Sequence, residues 1–223
     1  MQKYQKAMDK KFTEASLFSV EEIKKATKNT CKIKGSAFKG ELEYILSKKG
    51  EEGLRAVEKK TRELGYPIRY KEIEETQWYP ISLKMASFYA FLTTFNWEKK
   101  ELIEIAESSV KVSYIVRFFM KYFGSVEKIF RIAVPRLWRR YFSVGSLETS
   151  DFYNIEKAGG GGQGVLQLKN FKLHPFYCFY LGRFFIGVAK LIDPRFKEIS
   201  IEETKCMFRG DDCHEYLLKW TYK

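Results

Sequence analysis

Apolar positions in the first two-thirds of the chain recur at helical spacing. Phe38, Leu42, Ile45 and Leu46 form one run closed by Gly50. Leu54, Val57 and Leu64 form a second, closed by Gly65 with Pro67 just beyond. Ser19-Val20-Glu21-Glu22 has the arrangement of a capping box and predicts a short helix ahead of them. After Trp78-Tyr79-Pro80, the stretch 81–95 is apolar nearly all round, which predicts a buried helix. Further helices are expected over 99–107, 109–123 and 126–141, with Pro135 kinking the last.

Past Gly145 the texture changes. Residues 147–155 alternate in part and 165–169 alternate clearly, as strands do. Between them Gly159-Gly160-Gly161-Gly162-Gln163-Gly164 reads as a flexible hairpin loop. A phosphate-binding loop would lead from a strand into a helix and carry Lys and Ser or Thr, so phosphate is not expected here. His174-Pro175 opens an apolar helix that ends at Asp193-Pro194, with Gly182 and Gly187 allowing another element to approach closely. Residues 198–208 and 214–220 form a final hairpin turning at Arg209-Gly210-Asp211-Asp212. Helices followed by hairpin, helix and hairpin indicate an α+β fold, N-terminal helices packed on a C-terminal antiparallel sheet. The chain reads as a single ligand-binding-type domain over 1–223, with 1–75 as a helical N-terminal extension and 145–223 as the sheet-containing core.

Composition adjusts this picture little. With 223 residues, 45% of them hydrophobic, and 19 Phe and 14 Tyr, the chain can build an aromatic core without disulfide staples. The apolar stretches around 176–189 are interrupted by Arg183 and fall short of the ~20 residues of a membrane helix, so no membrane span is expected. The polar start Met1-Gln2-Lys3-Tyr4 and four scattered Cys suggest a cytoplasmic protein. The net charge of +12 would suit nucleic acid. However, Lys is mixed with Glu, as over 51–63, and no recognition motif is present, so no nucleic-acid partner is expected. Arg131, Arg136, Arg139 and Arg140 are the one candidate anion patch.

Enzyme signatures are missing. The only histidines are His174 and His214, and neither lies in a metalloprotease or nucleophile context, so catalysis is not expected. The C-terminal run Cys206-Met207-Phe208-Arg209-Gly210-Asp211-Asp212-Cys213-His214 places two thiols and an imidazole across a hairpin, with Glu203 and Cys178 as further candidates. Zinc takes four such ligands. The plainer alternative is that the cysteines are small buried residues.

From Glu203 to Trp220, the Cys, Gly-Asp turn, second Cys and apolar strand resemble the end of the 4-vinyl-reductase-type small-molecule-binding domain. His174-Pro175-Phe176-Tyr177-Cys178 with Gly182 and Gly187 is similar to the helix before that hairpin. The likeness is good over 145–220. The family shares its ligand-binding fold with TRAPP transport subunits and haem-nitric-oxide sensors. The resemblance implies a non-catalytic sensory domain for a hydrophobic small molecule, aromatic or acyl, and a homodimer. It also implies a zinc held by Cys178, Glu203, Cys206 and a residue at the second hairpin Cys, whose place falls on His214 with Cys213 one residue early. Haem is not expected, because no Tyr-x-Ser-x-Arg motif is present. Candidate pocket residues are Phe88, Phe91, Phe118, Tyr122, Trp138, Tyr177 and Tyr180. The rival reading is a pocketless interaction module that dimerises through its helices.

Strand parity bears on the fourth ligand. His214 shares a face with Tyr216, Leu218 and Trp220, whereas Cys213 goes with Glu215 and Lys219. A three-residue turn at Arg209-Gly210-Asp211 sets Cys206 opposite His214, and a two-residue turn at Gly210-Asp211 sets it opposite Glu215, on the face of Cys213; the apolar set favours the first, so His214 is the expected ligand. Glu203 then has the wrong parity and needs a bulge to join.

Overall fold

The computed structural model describes residues 19–26, 30–112, 126–155, 157 and 159–223. Among them the order is α1 (Val20–Ala26), β1 (Lys32–Lys34), α2 (Ser36–Glu63), β2 (Trp78–Pro80), α3 (Ile81–Phe95) and α4 (Lys99–Val112). Then come α5, built of Val126–Lys128, a π-helical turn Ile129–Ala133 and Val134–Tyr141, followed by β3 (Ser146–Asn154), β4 (Gly161–Lys169), α6 (Pro175–Ile192), β5 (Phe196–Lys205) and β6 (Cys213–Tyr222). Helices and an antiparallel sheet make this an α+β fold. The expected helix over 109–123 lies largely outside the described residues.

The two helical runs anticipated on either side of Gly50 join end to end in α2, because Gly50 takes φ 64°, ψ −164° and bends the axis between them. In α5, Pro135 cannot donate a backbone hydrogen bond, and the π-helical turn directly before it absorbs the mismatch. His174 caps α6, its Nδ1 accepting the Phe176 N–H at 3.1 Å. Gly187 lies so close to the Glu107 backbone of α4 that a Cβ there would clash, whereas Gly182 has ordinary room. Of the two glycines expected to permit close approach, only Gly187 serves that purpose.

The sheet runs β3-β4-β6-β5, each pair antiparallel. Here the glycine run departs from expectation. Gly161–Gly164 are the first residues of β4 rather than a loop, and Gly159 (φ 71°) is the only one in the left-handed region. A Cβ at Gly162 would strike the Trp220 ring, and one at Gly164 would strike Phe152. The glycines make room for aromatic rings lying across the strand.

α6 lies on the sheet and against α4, with α2 and α3 beyond. It is long and apolar enough to cross a membrane by length and composition, but 61% of it is buried against these neighbours.

Candidate metal centre and ligand cavity

Strand parity governs the C-terminal hairpin. Along β6, His214, Tyr216, Leu218 and Trp220 are all buried and face α6. Lys205 pairs with Glu215, the register that sets Cys206 across from His214. One residue later the pairing shifts, Glu203 lying opposite Tyr216, because a bulge intervenes at Thr204. That bulge turns Glu203 onto the face of Cys206 and His214. The connection is longer than the three-residue turn expected: β5 stops at Lys205, a 3₁₀ turn Met207–Arg209 follows, and Gly210 (φ 100°) reverses the chain. The Asp211 carboxylate accepts the Cys206 N–H at 2.7 Å and braces this wider loop.

The result is a cluster of four side chains from α6, β5, the loop and β6. One donor atom each from Cys178, Glu203, Cys206 and His214 lies within 4.8 Å of the others. Cys178 Sγ is 3.8 Å from Cys206 Sγ and 3.5 Å from His214 Nδ1, which is 3.0 Å from Glu203 Oε1. The other imidazole nitrogen, Nε2, donates to the Phe171 carbonyl at 3.1 Å. With Nε2 bound to the Phe171 carbonyl, Nδ1 is turned into the cluster, the arrangement by which an outer hydrogen bond orients a metal-ligating histidine.

The Cys178 thiol is raised by its hydrogen bond to Cys206 and by burial, and Cys206 is lowered as the acceptor of that bond. Burial raises Glu203. Burial opposes protonation of His214, yet the bonds to Cys206 and Glu203 outweigh it and push the imidazole to about 9. Two thiols and a carboxyl surround one imidazole, and the protons they retain limit the repulsion among them. A cation would do the same.

Cys213 stays outside the cluster. It was expected to share a solvent face with Glu215 and Lys219, but it is buried opposite Lys169 of β4.

A second feature lies where α6 meets the helices. A cavity of about 60 Å³ is bounded by Ser36 and Ala37 of α2, Lys84 of α3, Leu137, Trp138 and Tyr141 of α5, and Tyr177, Tyr180 and Leu181 of α6, among others. Of the expected pocket residues, Trp138, Tyr177 and Tyr180 line it. Phe88 and Phe91 are fully buried core that does not line it; Phe88 packs edge-on against Tyr180 at 5.0 Å. Phe118 and Tyr122 lie outside the described residues.

Sequence reasoning missed the charged pair at this cavity. Lys84 Nζ meets Glu41 Oε1 at 2.6 Å, with both side chains at most 2% exposed, and also reaches the Ala37 carbonyl at 2.5 Å. Ser87 donates to Glu41 Oε2, and Tyr70 meets Ser87. The signal was present: Lys84 is the only charge in α3, and Glu41 lies on the helical stripe of Phe38 and Ile45.

Neither a family model nor a curated protein matches the sequence. Solved structures do match. An H-NOX protein from S. oneidensis in the Fe(II)NO state aligns with TM-score 0.59 at 14% identity, covering 86% of this chain and 100% of that one. A structure described as probing haem distortion in the H-NOX family gives 0.55 at 14%, covering 86% and 95%. An oxygen-binding H-NOX domain related to soluble guanylate cyclases, in its oxygen complex, gives 0.52 at 13%, covering 86% and 95%.

These neighbours correct the expectation of zinc without haem. The fold is one in which Fe(II) ligation states and haem are described, and no zinc is named among these structures. The motif argument against haem therefore does not stand, and the question passes to the residues. Neither histidine lines the cavity, since His174 caps α6 and His214 belongs to the hairpin cluster. About 60 Å³ is also well below the ~300–1,000 Å³ of cofactor-sized pockets. In this conformation the described lining does not fit a haem. At such low identities the likeness establishes one thing: the chain has the fold of the H-NOX proteins.

Proposed function

We propose that the chain is a non-catalytic sensory domain of the 4-vinyl-reductase type, which holds a hydrophobic small molecule in its cavity and one divalent metal ion in its C-terminal hairpin. The observation that carries the reading is the convergence of Cys178, Glu203, Cys206 and His214 from separate elements, with the imidazole already oriented by the Phe171 carbonyl. Two sulfurs, a nitrogen and a carboxylate oxygen suit a tetrahedral site. The metal ties the hairpin to α6, and Tyr177, beside Cys178 in sequence, lines the cavity. One turn of helix thus joins the two sites, a route by which occupancy of the cavity would reach the sheet.

The test is elemental analysis of protein purified without chelator, together with melting curves against a panel of hydrophobic molecules. One equivalent of metal, lost in His214→Ala and Cys206→Ala and kept in Cys213→Ser, is the expected result. Metal-free protein, or a Cys178–Cys206 disulfide, removes the metal from the reading. If no ligand shifts the melt and sedimentation shows a helix-mediated dimer, the interaction-module reading replaces the sensor; the small cavity volume is what favours that rival.

A further inference from the structure

Among the described residues, two buried polar atoms at the cavity wall have no hydrogen-bond partner: Ser36 Oγ and Tyr177 OH. Buried hydroxyls are nearly always paired, because an unpaired one forfeits its bonds to water. Here both belong to residues lining one space whose other walls are largely aliphatic and aromatic, including Leu137, Trp138, Leu147 and Val188.

The remaining polar groups are already spoken for. Lys84 is matched by Glu41 at 2.6 Å and bonded to the Ala37 carbonyl, and Ser109 bonds Ile105 and lies 3.4 Å from Tyr180 OH. Because the charges at this end cancel, an incoming carboxylate or ammonium would be a buried charge without a counter-ion, which is costly. Size adds a second constraint. A dry cavity of about 150 Å³ accepts benzene, so one of about 60 Å³ suits a molecule of only a few heavy atoms.

We infer that the cavity takes a neutral short-chain oxygenated molecule, an alcohol or ketone, whose single oxygen is met by Tyr177 OH and Ser36 Oγ while its alkyl part lies against the apolar walls. This rests on the sensor reading above and narrows its ligand. Each hydroxyl can donate to a ketone oxygen, and either can also accept from an alcohol.

The experiment titrates the full chain with acetone and with 2-methylpropane, which has a similar shape and no oxygen, following the methyl resonances of Leu137, Leu147, Leu181 and Val188. Acetone is expected to bind at least about fivefold more tightly than the hydrocarbon. Tyr177→Phe and Ser36→Ala should each weaken acetone about two- to tenfold, the range of a single neutral hydrogen bond, and leave the hydrocarbon unchanged. If the hydrocarbon binds as well as the ketone, or Tyr177→Phe leaves ketone affinity intact, the inference fails while the cavity remains a binding site. If neither molecule perturbs the cavity, and ordered water alone occupies it, the inference fails; a blank hydrophobic panel as well would take the sensor reading with it.

Discussion

Among the described residues the fold buries two polar clusters, and they differ in charge balance. At the helical side, Glu41 and Lys84 neutralise one another, with Ser87 and Tyr70 using the remaining bonds. At the hairpin, Cys178, Glu203 and Cys206 gather around His214, acceptors outnumbering the single imidazole. Burial acts on both in the same direction, raising Glu41 and lowering Lys84 in one, raising Glu203 and opposing the His214 proton in the other. The first cluster is complete within the chain, whereas the second would be completed by the metal proposed above. A buried constellation points to a ligand when its charges do not close.

The largest effect should come from unbalancing the complete cluster. Lys84→Met alone leaves the Glu41 carboxylate buried without its partner and should cost about 3–5 kcal/mol, as breaking other buried pairs does. Glu41→Leu with Lys84→Met should restore much of that loss, read by urea denaturation. A single-variant cost below 1 kcal/mol would mean that water reaches the pair.

Stripping the incomplete cluster should follow closely. With free metal at about 1,000 times its dissociation constant, chelation removes about 4 kcal/mol of stability. His214→Ala should be equally unstable with or without chelator. Unfolding of the Glu41→Leu/Lys84→Met protein should remain chelator-sensitive, because the two clusters are separate.

Cys213→Ser sharpens the boundary of the hairpin site. Cys213 is buried but belongs to neither cluster, so a loss of about 1 kcal/mol with metal content unchanged is expected. Loss of metal would move the fourth ligand from His214 to Cys213.

How much of this was legible in the sequence differs between the clusters. The hairpin was readable because strand parity is local: the alternation from His214 to Trp220 fixes which side chains face inward, and the parity conflict at Glu203 itself called for the bulge found at Thr204. The helical cluster depends on a contact between α2 and α3, and each charge alone looks like an ordinary helix residue. The glycine run misled for the same reason, since the rings that need its space come from Phe152 and, more distantly, Trp220. Haem was dismissed on a missing motif, although the fold it accompanies was present.

The smallest effect lies outside both clusters and serves as a control. Three hydrogen bonds from Arg195 hold the Asp193 carboxyl below its ordinary value. Such a group stabilises the fold above the unfolded carboxylate range near pH 4 and loses that contribution as pH falls through its lower folded value. With Arg195 half exposed, the gain should be below about 1 kcal/mol. Asp193→Asn should therefore flatten the acid limb slightly and leave both chelator response and ketone binding unchanged.

X-ray absorption at the edge of the bound metal in the intact chain tests the central claim most directly. The account predicts one metal per chain with two sulfur neighbours at about 2.3 Å and nitrogen and oxygen neighbours at about 2.0–2.2 Å. A first shell of oxygen and nitrogen alone, or no metal in the chain, would contradict it.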